Sequence, residues 1–159
     1  MNERKESTTS IILEYVRVIV LTVIATFIFL QFVQISRVNG SSMENTYFQN
    51  NIVLIDKVFY KHSQPKRNDI IIVDYDDGLD DTLIIKRVIA VGGDHLDIKN
   101  NEVYINGKKI KESYIKENMN TEDLSIDIPK GKVFVMGDNR NHSLDSRKLG
   151  YFDFDNDVF

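Results

Sequence analysis

The sequence predicts a mostly β protein, in which one N-terminal transmembrane helix precedes a single, mainly antiparallel β-sheet domain with a small hairpin insertion. Three observations support this fold class. Residues 18–36 carry no charge, five later segments are rich in Val and Ile, and Asn106-Gly107 is a strong hairpin signal. We divide the chain into a polar tail at 1–10, an anchor helix at 11–36 and a β-rich domain at 37–159, with an inserted hairpin region at 95–130.

The uncharged run is long enough to cross a bilayer. At about 1.5 Å per residue it covers roughly the thickness of a hydrocarbon core, and in lipid it must be helical because its backbone groups need internal partners. A cleavable signal peptide has a shorter apolar core, about 7 to 15 residues, followed by small residues. This run ends instead in Gln34, Ile35 and Ser36. We therefore expect a retained anchor rather than a cleaved signal or a buried helix.

Charge indicates the orientation of the anchor and excludes one class of partner. The formal net charge is -4 with 28% charged residues, so no basic face for nucleic acid is predicted. Arg4, Lys5 and Arg17 precede the span, whereas only Arg37 follows it closely. This bias favours a single-pass protein of the cell membrane, with a cytoplasmic N-terminus and an extracytoplasmic domain.

The chain has no Cys, which excludes disulfides, thiolate metal sites and a Cys nucleophile. Its three histidines, His62, His95 and His142, are far apart in sequence and form no ligand-spaced pair. There is no P-loop motif for a nucleotide. We therefore expect neither a metal nor another cofactor.

Short strands and turns are predicted after the anchor. Asn106-Gly107 favours a type I′ hairpin turn, and Asn100-Asn101 can close the preceding hairpin. We expect a loop at 61–68, which contains Pro65, and a loop or frayed helical turn at 111–122. The predicted strands are residues 52–58, 69–75, 82–91, 102–105 and 132–136.

The segment V-N-G-S-S-M-E-N-T, residues 38–46, directly follows the anchor region. Gly40 allows the backbone to turn sharply, and a hydroxyl beside such a turn is uncrowded, as a nucleophile needs to be. A flexible tether would use the same residue types. On residue type alone, a nucleophile loop and a linker both remain open.

Lys86 and Arg87 interrupt the apolar run I-I-K-R-V-I-A-V of a predicted strand. Consecutive strand residues point to opposite faces, so one of the two cations should face inward. A desolvated Lys can lose its proton and act as a base, whereas Arg cannot. The alternative places Lys86 at a solvated sheet edge, with its stem along the apolar surface.

Residues 137–147, G-D-N-R-N-H-S-L-D-S-R, follow the last predicted strand and are too polar to build a core. They favour a tightly hydrogen-bonded loop. We expect its four charged side chains to pair with one another: Asp138, Arg140, Asp145 and Arg147.

These three segments, in this order, resemble the bacterial type I signal peptidase family, which uses a Ser/Lys dyad. The resemblance extends from the anchor to about Gly150. It implies that Ser42 is the nucleophile, that Lys86 is the general base, and that Ser143 hydrogen-bonds to the lysine and orients it. It also implies that Asp145 and Arg147 brace the site. The same shell would contain Arg87, Gly137, Asp138, Asn139 and Arg140.

The resemblance further implies a membrane-bound serine endopeptidase that removes signal peptides from secretory precursors, cutting after small residues through an acyl-enzyme. The amide of Ser42 would donate to the oxyanion, and the second donor is open because Gly40 has no hydroxyl. The substrate would add as a strand beside the segments ending at Val38 and Ile85. The positions expected to contact substrate are Val38, Met43, Ile84 and Ile85. The implied partners are secretory precursors and membrane lipid, whereas the oligomeric state is not predicted.

The sequence departs from the family in several places. Asn45 stands where Pro is usual, which should loosen the loop, and Tyr47 stands where Leu is usual. Gly92 or Gly93 replaces another Pro, and the chain ends at Phe159, where relatives continue through a short strand. Two alternatives follow. One is a non-catalytic relative that binds signal segments without cutting them. The other is the cytosolic Ser/Lys self-cleaving repressor group, whose DNA-binding helical unit has no room here.

Overall fold

The computed structural model describes residues 8–57, 63–76 and 81–158. Within them, one long helix is followed by ten strands and three short helical turns. The helices are α1 (Thr8–Phe32), a 3₁₀ turn (Arg140–His142), α2 (Ser146–Leu149) and α3 (Phe154–Asp157). The strands are β1 (Val33–Arg37), β2 (Ile52–Asp56), β3 (Ile70–Asp76), β4 (Asp81–Val91), β5 (His95–Lys99), β6 (Glu102–Ile105), β7 (Lys108–Lys109), β8 (Leu124–Asp127), β9 (Lys132–Met136) and β10 (Phe152–Asp153).

Helix α1 is the one helix among the described residues that is long and apolar enough to cross a membrane. It ends at Phe32, so the predicted anchor at 11–36 extends too far at its C-terminal end. Residues 33–37 form β1, because β2 pairs with them from Val33↔Asp56 to Arg37↔Ile52. The backbone nitrogen of Lys57 also donates to the carbonyl of Phe32, at 2.9 Å.

All strand pairings are antiparallel, which confirms the predicted fold class. The strands form a hairpin of β1 and β2, a central sheet in the order β10-β9-β4-β3 and a small sheet in the order β7-β6-β5-β8. The predicted strands at 102–105 and 132–136 match β6 and β9, and those at 69–75 and 82–91 match β3 and β4 within one residue. Strand β2 ends two residues before the predicted 58, which itself lies outside the described residues.

The small sheet occupies the predicted inserted region, but it contains four strands rather than one hairpin. Positive φ angles at Asn106 and Gly107, 52° and 76°, fit the type I′ turn between β6 and β7. Asn100 and Asn101 take similar angles at the turn before β6. The sequence-based prediction missed β5 and β8, because they are short and carry charged or polar residues at alternate positions.

Two apolar clusters cover the two faces of the central sheet. One lies against the small sheet and includes Ile89, Phe134 and Met136. The other includes Ile71 and Val73 together with residues of the C-terminal part of the chain. That part contains β10, paired with β9, and a bridge from Val158 to β3, so a short strand does follow Gly150. The central strand β4 is therefore buried on both faces over much of its length.

Candidate active site

Ser42 and Lys86 meet although they are far apart in sequence. The Lys86 amine lies 2.9 Å from the Ser42 hydroxyl oxygen and donates to the carbonyl of Ile85 at 3.0 Å. Lys86 projects from β4 and is only 3% exposed. The alternative of a lysine at a solvated sheet edge is therefore wrong.

Burial lowers the pKa of Lys86 from the ordinary value of 10.5 to about 8, and the negative charge of Asp145 partly opposes this shift. Desolvation disfavours the charged ammonium because the apolar surroundings solvate it less well than water does. A substantial fraction of the amine is consequently neutral in mildly alkaline solution. A neutral amine beside a serine hydroxyl can accept its proton.

Residues 38–47, which we call the nucleophile loop after the predicted role of Ser42, are held by backbone hydrogen bonds rather than forming a flexible linker. The amide nitrogens of Thr46 and Tyr47 both donate to the carbonyl of Met43, at 2.9 and 2.8 Å. Met43 itself is 1% exposed. Gly40 has a φ of 104°, a region that a side chain would strain. This loop therefore places the Ser42 hydroxyl on a fixed turn.

Asn45 is not a more flexible replacement for proline in this turn. Its φ is 87°, whereas proline is restricted to about −65°, and asparagine tolerates the left-handed region well. Its side-chain nitrogen reaches the carbonyl of Ile115 at 3.5 Å. The expectation that Asn45 loosens the loop is therefore corrected: this turn has a conformation that excludes proline.

Residues 137–147, which we call the catalytic loop after their predicted role, pack directly against the nucleophile loop. The amide of Asn139 donates to the carbonyl of Ser42 at 2.9 Å, and its side chain donates to the carbonyl of Ser41 at 3.0 Å. A Cβ on Gly137 would lie 2.5 Å from the Ser42 carbonyl oxygen and still closer to the hydroxyl of Ser143. Only glycine permits this approach.

Asp145 is held by Arg147 and by the loop backbone. The Arg147 guanidinium donates to both carboxylate oxygens at 2.8 Å, and the amide of Gly137 donates to one of them at 3.0 Å. Burial opposes ionisation of Asp145, but the hydrogen bonds and positive charge of Arg147, together with hydrogen bonds from the loop, outweigh it and lower the pKa of the carboxyl group. The predicted pairing of Asp145 with Arg147 is thus formed.

The other two charged side chains of the loop pair outside it, which corrects the predicted pairing. Asp138 accepts from Arg87 at 2.8 and 2.7 Å. Arg140 donates to Glu112 at 2.9 and 2.6 Å. The prediction that one of the two adjacent cations, Lys86 or Arg87, faces inward was also incomplete, since both are buried. Lys86 lies against Ser42, whereas Arg87 pairs with Asp138 and its guanidinium carbon lies 4.1 Å from the Tyr114 ring.

The hydrogen bond implied from Ser143 to Lys86 is not formed. The Ser143 hydroxyl is buried and makes no hydrogen bond to the Lys86 amine; it acts instead on the Asp145 carboxylate, whose pKa it helps to lower. It also packs against Gly137. Ser143 therefore lies beside the dyad without orienting the amine directly.

Four residues were predicted to contact substrate, and two of them are buried. Val38 and Met43 are 6% and 1% exposed because they pack inside the nucleophile loop, so their side chains offer no contact surface. Ile84 and Ile85 remain partly exposed. They lie on a part of β4 that pairs with β3 on one side, whereas the pairing with β9 begins only at Arg87. Beside Ile84 and Ile85, the other edge of β4 has no partner strand among the described residues.

Comparison with known proteins identifies the family. The family model described as signal peptidase, peptidase S26, matches residues 12–158. The chain belongs to the signal peptidase family. It is 33% identical to signal peptidase I P of Bacillus subtilis subsp. natto, over 96% of this chain and 88% of that protein. It is 34% identical to signal peptidase I S of Bacillus subtilis (strain 168), with the same two coverages.

The fold agrees with a solved member of the signal peptidase family. The crystal structure of a signal peptidase I from Enterococcus faecalis V583 matches with a TM-score of 0.52 and 28% identity, over 60% of this chain and 94% of that chain. Family membership makes this chain a serine peptidase. Within the ranges that the structure describes, no group of three or more His, Asp or Glu residues could hold a metal ion.

Some residues of the site were not predicted. Thr46 donates to Asp138 and accepts from Arg87 at 3.2 Å, and Glu112 and Tyr114 contact the two buried arginines. No local signal marks them, because each contacts its partner across more than twenty residues of chain. They join the nucleophile loop and the small-sheet region to the same buried network.

Proposed function

We propose that this chain is a membrane-bound serine endopeptidase that removes N-terminal signal peptides from secretory precursors, with Ser42 as nucleophile and Lys86 as general base. One observation carries the proposal: the buried amine of Lys86 lies 2.9 Å from the hydroxyl of Ser42. The names of the related signal peptidases support the substrate class.

The reaction follows from the properties of the pair. The neutral Lys86 amine removes the proton from the Ser42 hydroxyl as its oxygen attacks the scissile carbonyl carbon. The tetrahedral intermediate collapses when the lysine ammonium returns that proton to the leaving amine, and the C–N bond breaks. Lys86 then takes a proton from water, whose oxygen attacks the acyl-enzyme ester. Collapse of this second intermediate releases the signal peptide and returns the proton to Ser42.

The negative charge on the carbonyl oxygen requires donors that are fixed in advance. We assign the backbone amide of Ser42 to this role. A hydroxyl donor cannot come from Gly40, and a serine in its place would have to adopt a φ of 104°. The Asn139 hydrogen bonds to the carbonyls of Ser41 and Ser42 fix the peptide unit that contains the Ser42 amide and the peptide unit that follows it.

The unpaired edge of β4 supports docking of an extended substrate. The amide of Val88 donates to Asp69 and its carbonyl accepts from Asn68, so both groups point to the β3 side. Because this direction alternates along a strand, odd-numbered residues of this part of β4 point their backbone groups to the opposite edge. Ile85 therefore presents its backbone amide at the open edge, together with its carbonyl, which also accepts from the Lys86 amine at 3.0 Å. A precursor segment adding there as a strand would place alternate side chains against small pockets, beside Ile84 and Ile85.

Helix α1 gives the site its location. Retained in the membrane, it would hold the domain next to lipid, where the apolar segments of precursors also lie. The basic residues that precede the span favour a cytoplasmic N-terminus and an extracytoplasmic domain. Membrane lipid and secretory precursors are thus the proposed partners.

The decisive experiment is cleavage of a precursor in detergent micelles by the full chain and by Ser42→Ala and Lys86→Ala. We expect wild type to cut and both variants to lose activity, with Ser41→Ala as the matched serine control that retains it. Cleavage by Ser42→Ala would contradict the assigned nucleophile. An inert wild-type protein that still binds the precursor would favour the non-catalytic alternative.

The same assay run against pH tests the base. Because the neutral amine is the active form, the rate should be low when Lys86 is protonated and rise with pH through about 8. A rate that stays constant between about pH 6 and 9 would exclude Lys86 as the base.

A further inference from the structure

Residues 112–116, between β7 and β8, form neither helix nor strand, yet they contact every segment that carries the candidate active site. We call them the bracing segment. The role inferred for this segment rests on the proposed function, because that role is to hold the reacting groups in place.

Glu112 anchors the catalytic loop through Arg140. The Arg140 side chain is 0% exposed and makes two hydrogen bonds to the Glu112 carboxylate, at 2.9 and 2.6 Å. Such bidentate, charge-assisted pairs are directional as well as strong. The same guanidinium donates through Nε to the carbonyl of Gly137 at 3.1 Å. Glu112 therefore fixes the guanidinium that holds Gly137 against Ser42.

Tyr114 reaches the strand that carries the base. Its ring lies 4.1 Å from the guanidinium carbon of Arg87, the residue directly after Lys86, and 5.8 Å from that of Arg140. Its hydroxyl donates to Glu112 at 3.0 Å. Cation–π contacts of this kind favour one placement of the guanidinium over the ring. Tyr114 thus connects β4 to the Glu112–Arg140 pair.

The C-terminal end of the bracing segment reaches the nucleophile loop. The Lys116 amine pairs with Glu44 at 2.5 Å, and the carbonyl of Ile115 accepts from Asn45 at 3.5 Å. The backbone amide of Lys116 donates to the carbonyl of Asp138 at 3.1 Å. One short stretch therefore connects to the nucleophile loop, to β4 and to the catalytic loop.

We propose that the bracing segment positions Ser42, Lys86 and the catalytic loop relative to one another, with Glu112 and Tyr114 as its positioning residues. Neither side chain touches the reacting atoms. Displacement of a reacting group by about 1 Å can cost about a hundredfold in rate. Loss of either side chain should therefore lower turnover without removing any group that takes part in the chemistry.

Steady-state kinetics of precursor cleavage in micelles separate positioning from substrate binding. For Glu112→Gln and Tyr114→Leu we expect kcat to fall about tenfold to a hundredfold while KM stays within about threefold. Glu117→Gln is the matched control, since it makes the same charge change at an exposed position of the same loop, and it should keep the wild-type kcat.

A double variant separates positioning from stability. Glu112→Gln leaves the buried Arg140 unpaired and should lower the melting temperature, whereas Glu112→Met with Arg140→Met removes both charges and should recover much of it. Positioning requires kcat to stay low in the double variant. If kcat recovers together with the melting temperature, if only KM changes, or if the single variants turn over normally, the inference is wrong. An inactive wild type would instead overturn the proposed function.

Discussion

Lys86 illustrates how burial produces reactivity at the cost of stability. In the folded protein its pKa is about 8, against an ordinary value of 10.5 that the unfolded chain should show. Below about pH 8 the folded state must hold a buried ammonium, and the penalty is fully present. As pH rises from 8 to 10.5 the native amine loses its proton first, so stability increases across that window.

Replacing Lys86 by methionine should therefore stabilise the protein near neutrality while abolishing cleavage. A pKa of about 8 instead of 10.5 corresponds to a free-energy cost of about 3 kcal/mol at pH 7, and the advantage of the variant should disappear above about pH 10.5. Urea denaturation of wild type and Lys86→Met at both pH values measures the difference. A variant no more stable than wild type at pH 7 would show that burial of the Lys86 ammonium does not destabilise the folded protein.

At the residue scale, sequence reasoning paired Ser42 with Lys86, which the structure brings together, but it predicted only part of their surroundings. From residue type alone, Ser42 could also belong to a flexible linker, and Lys86 could also lie at a solvated sheet edge. Only the order of the three segments favoured the catalytic interpretation. The burial of Arg87 could not be predicted, because strand alternation says which face a side chain takes but not what covers that face.

At the scale of elements, the contact between the two loops is the most restrictive feature of the site. The loops approach through the Cα of Gly137, where any side chain would meet the Ser42 carbonyl and the Ser143 hydroxyl. The backbone cannot move apart there without displacing Ser42, the proposed nucleophile.

We therefore expect Gly137→Ala to lower kcat/KM by about a hundredfold or more, since the loops must separate. Gly107→Ala is the control. At that β6–β7 turn an added methyl group meets no atom within 4 Å, but its φ of 76° makes alanine unfavourable by about 1 to 2 kcal/mol. The control should thus be less stable yet cleave normally. Cleavage assays and thermal melts on both proteins report the difference, and a normally active Gly137→Ala would contradict the close approach.

Elements with strong local patterns were predictable, and elements defined by pairing were not. β4, β6 and β9 have the Val and Ile content that predicts strands. β1 continues the apolar character of the anchor, so its sequence gives no boundary, and only pairing with β2 converts residues 33–37 from helix to strand. The same holds for β8, which pairs with β5 across more than twenty residues of chain.

At the scale of the whole molecule, the small sheet does more than enlarge the domain. Its apolar cluster covers one face of the central sheet, and its connecting residues 112–116 deliver the counter-ion for Arg140 and the ring over Arg87. Predicted as an inserted hairpin, this region is part of the same buried network as the catalytic loop. Contacts between residues so distant in sequence leave no local pattern.

If α1 is the membrane anchor proposed above, its junction with β1 sets where Ser42 lies with respect to the bilayer. No linker separates the two elements, and the bond from Lys57 to the carbonyl of Phe32 fastens the end of the helix to the hairpin. Strand β1, five residues long, rises roughly 17 Å and so acts as a rigid spacer. In the proposed reaction, this spacer would fix the height above the bilayer at which a precursor is cut. Insertion of two residues after Phe32 should move the cleaved bond towards the mature side, as mass spectrometry of the products would reveal; an unchanged bond would mean that the spacer sets no height.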